Sequence, residues 1–187
     1  MNYINGMFQV HGPDFQSVNP ANEDVLGDFP NSYYTEVNHA VGSAKRALPG
    51  WSALSRVQRA EYFDRLCQIV KAKTEHVAAA ISRETGKTLN ESRAEVVESL
   101  HMAQYTFGKG REHCGEIIPS ELPERESFVI RKPKGVVASI SSWNFPCAIL
   151  GFWTTAPALL EGNTVVMKPS EEAPMVGQII AELYHEA

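Results

Sequence analysis

Cysteine is scarce in this chain of 187 residues: only Cys67, Cys114 and Cys147 occur. Odd in number, widely spaced and set in apolar surroundings, they exclude a disulfide framework. They read as reduced thiols serving as small hydrophobes in a cytosolic protein. His11, His39, His76, His101, His113 and His185 form no HExxH pair, and no Cys/His cluster has zinc spacing, so no metal is expected. GxGxxG and GxxxxGKS are both missing, which removes the common pyrophosphate cradles. No block of one charge exists. A net charge of −5 with acidic and basic residues interspersed excludes a nucleic-acid binder, though not a small molecule bearing phosphate. The longest mostly apolar stretch, Phe145–Leu160, is broken by two threonines and Pro157 and is too short to cross a bilayer. The first thirty residues lack the basic-then-apolar order of a secretory signal, so no membrane partner is expected.

What remains is ample for a core, with 43% of residues hydrophobic. Tyr3–Val10 reads as a strand or hairpin turning at Asn5–Gly6, Asn19–Asn22 as a turn, and Val25–Phe29 as a short strand. From Thr35, the stripe Val37, Val41, Ala44 and Leu48 predicts a helix stopped at Pro49–Gly50. Ser55 and Gln58 make a capping box for a second helix that buries Ala60, Phe63, Leu66, Cys67 and Val70. A third helix spans about 75–84 and closes on Gly86. A fourth covers about 90–108 with Val97, Leu100 and Ala103 inward. Glu116–Arg131 predicts two strands and a polar turn, of the kind that pairs outside its own helical layer. Val136–Ile140, predicted as a buried strand, and Thr164–Met167 flank an apolar helix kinked by Pro157, a crossover that builds a parallel sheet. Met175–Glu186 predicts the next helix. The organisation expected is a mainly helical part over 1–115, an extended β arm over 116–134 and a first crossover over 135–187.

Candidate chemistry gathers in Gly135–Pro174. Ligands of a doubly wound sheet sit beyond the C-terminal ends of its strands, so the loop Ser141–Phe145 is eligible. The carboxamide of Asn144 suits either an oxyanion or the cap of the following helix. Trp143 and Phe145 suit packing or ligand contact. Lys168 leaves the second strand and can reach ribose or phosphate oxygens, while Glu171 can accept from a ribose diol. Each is equally at home as a solvated strand end or a first-turn carboxylate. Cys147 lies in the apolar helix pattern, where packing is its expected role.

Taken in order, Ile4-Asn5-Gly6, Asn19-Pro20-Ala21, Trp51-Ser52, Arg59, Glu84-Thr85-Gly86-Lys87, Gly135-Val136-Val137, Trp143-Asn144-Phe145-Pro146, Pro157-Ala158-Leu159, Gly162 to Val166 and Lys168-Pro169-Ser170-Glu171 resemble the aldehyde dehydrogenase superfamily over the whole chain. The match corresponds to the N-terminal part of a longer subunit. One position departs: Ser142 stands where the family usually has proline. The resemblance implies an α/β fold, namely a three-layer aldehyde-dehydrogenase-like cofactor domain whose parallel sheet is incomplete here, with a β arm for oligomerisation. It implies a homo-oligomer acting on a small-molecule aldehyde with NAD, or alternatively NADP. Oxidation to the acid would pass through a cysteine thiohemiacetal whose nucleophile and general base lie beyond Ala187. By the same resemblance Asn144 is the catalytic oxyanion donor, Ser142, Trp143, Lys168, Ser170 and Glu171 contact the cofactor, and Phe145 borders the substrate passage. Glu171 favours NAD, because a 2′-phosphate would meet its charge. The 187 residues alone are then expected to be inactive. The alternative is a noncatalytic oligomerising fragment that binds no nucleotide.

Overall fold

Asn5 and Gly6 both adopt positive φ, 56° and 77°, the geometry of the two-residue hairpin turn that Asn-Gly favours. They join β1 (Asn2–Ile4) to β2 (Met7–Gln9) antiparallel. The computed structural model describes residues 1–10 and 14–187; His11 lies outside them. A second hairpin pairs β3 (Asp14–Val18) with β4 (Val25–Pro30) around the turn at Asn19, whose side chain accepts from the Ala21 amide at 3.0 Å. Only β4 is legible as a strand in the sequence. β3 is defined by pairing across the hairpin, with Phe15 opposite Phe29.

α1 (Tyr34–Ala53) runs through Pro49 instead of stopping there. Proline removes one amide, but the carbonyl it would have served belongs to exposed Lys45 and can be hydrated. The last turn is held from outside: the Trp51 indole donates to the Leu159 carbonyl at 2.9 Å. α2 (Arg56–Ala72) starts on the Ser55–Gln58 capping box and buries all five residues expected of it. α3 (Thr74–Thr85) closes on Gly86 at φ 74°. α4 (Leu89–Lys109) turns inward Ala103 and, in part, Leu100 as expected, but not Val97. Val97 is 43% exposed, and the buried face carries Ser92, Glu95, Val96, Ser99, Met102, Ala103 and Thr106. Ser99 and Thr106 return their hydroxyls to carbonyls one turn back, which lets a polar stripe enter the core.

β5 (Gly115–Ile118) and β6 (Ser127–Ile130) form the expected antiparallel arm, and every residue in both is exposed. Cys114, just before it, is also exposed, contrary to the apolar setting read from sequence. β7 (Val136–Ile140) and β8 (Thr164–Lys168) pair in parallel, Val136 opposite Thr164 and Ile140 opposite Lys168. β7 is not the buried strand expected: Ile140 is 72% exposed, because this sheet has two strands among the described residues. The connection opens with a π-helical segment, Ala148–Thr154, and continues as α5 (Thr155–Leu160). The widened turn handles Pro157 without a break. Thr154 and Thr155 donate their hydroxyls to the carbonyls of Ile149 and Leu150, five residues back. α6 (Pro174–Glu186) follows.

Strand alternation sets the layers. Thr164 donates to the Ala44 carbonyl of α1, whereas Ser139, on the opposite face in this register, bonds Thr154 of the crossover. Hence α1 covers one face of the sheet and the crossover covers the other. The main core lies beyond, where α2, α3 and α4 pack with the crossover and α6 around Phe63, Leu66, Ile81, Leu150, Phe152 and Ile180. None of the described helices is long and apolar enough to cross a membrane.

Two buried glutamates join the helical layer to the sheet. Glu84 of α3 accepts from the amides of Met175 and Val176 at 2.8 Å each and from the Ser17 hydroxyl at 2.7 Å. Glu95 of α4 accepts from the amides of Cys147 and Ala148 at 2.8 and 3.2 Å. Each carboxylate thus caps, from another helix, the helix that follows a strand, where the dipole favours negative charge. Replacing Glu84 with Ala strands two helix amides and a hydroxyl in a buried site. The expected loss is roughly 2–3 kcal/mol in urea unfolding. Glu84→Gln should recover only part of it, since an amide accepts at one atom alone; a loss under about 0.5 kcal/mol for the alanine variant refutes the capping role.

Candidate functional site at the mouth of the parallel strands

Because Ile140 and Lys168 are paired, the loops after β7 and β8 leave the sheet side by side; the Ser141 amide still reaches the Lys168 carbonyl at 3.5 Å. The first loop exposes Ser142, Trp143, Asn144 and Phe145 together. The Ser142 hydroxyl donates to Asn144 Oδ1 at 2.5 Å. That bond engages the acceptor end of the carboxamide and leaves its Nδ2 donors without a protein partner among the described residues. Asn144 does not cap the following helix, because Glu95 holds the Cys147 and Ala148 amides. Trp143 and Phe145 are 58% and 46% exposed, so neither is a core packing group.

The second loop carries Lys168 and Glu171 into solvent, with Nζ and Oε2 3.0 Å apart. The backbone amide at Glu171 and the Lys168 ammonium hold the Glu171 carboxyl below the usual carboxylate range. A cation and an ionised acceptor therefore stand at one strand end, able to donate to and accept from adjacent hydroxyls. Ser170 sits differently: it is buried, with its hydroxyl accepting from the Glu172 amide at 3.2 Å and its carbonyl from the Ala173 amide at 3.1 Å. It shapes the turn. Pro169 packs where a Cβ on Gly177 would fall, 2.6 Å from its own Cβ, so the turn is pressed onto α6.

Glu84, Glu95 and Lys87 escaped the sequence reading as site components. The signal for Glu95 was its place in a 3–4 spacing with Ser92 and Ser99, a polar stripe with no solvent to face. Glu84 and Lys87 flank the stop of α3, and nothing local indicates what they reach. Their effect on ligand chemistry is direct. Both helix N-termini that a doubly wound sheet ordinarily offers to an anion are closed by carboxylates, with Pro174 lacking an amide altogether. Among the described residues, those at the strand ends fit the hydroxyls of a ribose, and neither helix N-terminus offers free amides as a cradle for its phosphates.

The family model for the aldehyde dehydrogenase family matches residues 9–187. Alpha-ketoglutaric semialdehyde dehydrogenase of Bacillus subtilis (strain 168) is 37% identical over 190 residues, covering 100% of this chain and 39% of that protein. Betaine aldehyde dehydrogenase of the same organism is 36% identical over 172 residues, 91% of this chain and 35% of its own length. Lactaldehyde dehydrogenase from Escherichia coli superposes with a TM-score of 0.93 at 32% identity, covering 98% of this chain and 39% of that one. The chain thus spans about two fifths of the relatives it matches. Its helical layers, antiparallel arm and parallel strand pair are a partial aldehyde-dehydrogenase-like α/β fold, and the chain belongs to the aldehyde dehydrogenase family.

Proposed function

We propose that this chain is the N-terminal part of an NAD(P)-dependent aldehyde dehydrogenase that oxidises an aldehyde or semialdehyde to its carboxylic acid. The observation that carries the reading is the uncommitted Nδ2 of Asn144 on an exposed loop beside Lys168 and Glu171, at the C-terminal mouth of two parallel strands. Asn144 donates to the oxyanion of a thiohemiacetal. Lys168 and Glu171 hold the adenine-side ribose of the cofactor, and Ser170 keeps their turn in shape. Ser142 orients the Asn144 amide, Trp143 walls the nicotinamide side, and Phe145 borders the substrate passage. The bound nicotinamide supplies a hydride acceptor. NAD is the preferred form, since the Glu171 carboxylate repels a 2′-phosphate. The name of the Bacillus subtilis semialdehyde dehydrogenase supports a semialdehyde substrate.

The nucleophile and general base come from outside residues 1–187. Burial pushes the Cys67 thiol up to about 11 and the Cys147 thiol up to about 12. Cys147 is 1% exposed and its sulfur accepts from the Ser99 hydroxyl at 3.5 Å, while the nearby Glu95 carboxylate is engaged by the Cys147 and Ala148 amides and by Lys87. Such thiols are inert at neutral pH. The β5–β6 arm, with Ile117, Phe128 and Ile130 open to solvent, supports pairing with a second subunit. The same arm is what a noncatalytic oligomerising role would use.

In the full-length enzyme, Asn144→Ala should lower acylation by roughly 10²–10³, about 3 kcal/mol, with cofactor affinity preserved. Lys168→Ala and Glu171→Ala should weaken NAD binding by roughly tenfold, about 1.4 kcal/mol, and leave acylation at saturating cofactor largely intact. Glu171→Gln should move the preference toward NADP. Single-turnover kinetics with calorimetric titration measures the division, and equal losses of NAD affinity in all variants would sink it.

The 187-residue chain alone should produce no NADH from short aldehydes. With a thiol-specific reagent at pH 8, Cys114 should react first, and Cys67 and Cys147 only on unfolding. Turnover by this chain that disappears in Cys147→Ser would make Cys147 the nucleophile and overturn the assignment.

A further inference from the structure

We propose that Lys87 and Glu95 are the positioning pair of the Trp143–Phe145 turn, holding the donor face of Asn144 at the mouth of the sheet. The inference rests on the role given to Asn144 above.

The Glu95 side chain is wholly buried, and its two oxygens serve different ends. Oε1 receives the amides of Cys147 and Ala148, and Oε2 pairs with Lys87 Nζ. The Lys87 ammonium also lies 4.2 Å from the centroid of the Phe145 ring, within cation–π range. One cation therefore grips the segment on both sides of Pro146: directly at the ring before it, and through Glu95 at the amides after it. Asn144 immediately precedes that ring.

Besides the backbone bonds from the Ser141 amide to the Lys168 carbonyl and from the Ile149 amide to the Phe145 carbonyl, little else among the described residues holds the turn. Its own side chains contribute the single bond from Ser142 to Asn144, and none of them caps the helix beyond. Lys87, by contrast, has a firm base. It occupies the short link between Gly86, which ends α3, and Thr88, which caps α4, and the Ser82 hydroxyl donates to its carbonyl at 2.7 Å. A buried carboxylate stripped of its cation is strongly unfavourable, so loss of Lys87 favours withdrawal of the Glu95 side chain from the helix amides it holds. Lys87 thus stands one step from the reacting atoms: it sets where Asn144 points and makes no contact with the carboxamide.

The test compares Lys87→Met, Lys87→Arg and Glu95→Gln in the full-length enzyme, by amide exchange of peptides and by kinetics. In Lys87→Met, exchange across residues 141–150 should quicken by roughly tenfold or more while α2 and α3 stay unchanged. Acylation should fall by roughly tenfold or more from misplacement of the donor, with KM for NAD within about twofold. Lys87→Arg, which keeps the charge, should restore most of both. Glu95→Gln keeps an acceptor for the amides, loses the ion pair and should fall between. Unchanged exchange at 141–150 in Lys87→Met overturns the proposal. So does faster exchange spread evenly through α3 and α4, or an arginine variant as impaired as the methionine one. Fast local exchange with full acylation would support the positioning role and refute the oxyanion assignment of Asn144, which separates the two claims.

Discussion

Two carboxylates withdrawn from water hold this architecture together. Glu84 and Glu95 leave α3 and α4 and close the N-termini of α6 and of the crossover helix, so the helical layer and the sheet layer share hydrogen bonds as well as apolar contacts. Burying an ionised group is costly, and here the cost is met by converging donors and by the positive end of a helix dipole. Burial pushes the Glu84 carboxyl up in pKa, while the Val176 and Met175 amides and the Ser17 hydroxyl pull it back. The arrangement is directional in a way that apolar packing is not. Each glutamate specifies one partner helix and one register of approach.

That choice has a chemical consequence. A parallel α/β unit usually leaves its helix N-termini open for an anionic ligand, and this chain seals both. What the strand ends leave exposed is therefore side chains, namely the Lys168–Glu171 pair on one loop and the Asn144 carboxamide on the other. Neighbouring glycine and proline serve the same end: Pro169 stacked over Gly177 leaves the second loop little room to shift.

Apolar surface is left open on the β5–β6 arm and on the exposed end of β7, where Ile117, Phe128, Ile130 and Ile140 face solvent. Strands with free edges and apolar faces are usually covered by further strands or subunits. The open edges accord with a chain that spans 39% of its relatives. They also explain why β7, apolar in sequence, is only partly buried.

Local pattern was enough for much of this protein. The Asn5–Gly6 hairpin, the Ser55–Gln58 box, the glycine stop at Gly86 and the β7–β8 crossover follow from short-range sterics and hydrogen bonding, which act within a few residues and so leave a mark in the sequence. The motif residues Trp143 to Phe145 and Lys168 to Glu171 were likewise legible as a group; of these Trp143, Asn144, Phe145, Lys168 and Glu171 are exposed at one end of the sheet, whereas Ser170 is buried in the turn. The failures share one cause. Pro49 is tolerated inside α1 because Trp51 is tied to Leu159, a residue far along the chain. α4 turns a polar stripe inward because Glu95 has amides to meet there, and so Val97 is left outside. Residue order determined the elements, the turns and the candidate chemistry. Tertiary structure alone decided which faces are buried and what closes the N-termini of the crossover helix and α6, because those outcomes depend on donors and acceptors brought together from distant parts of the chain.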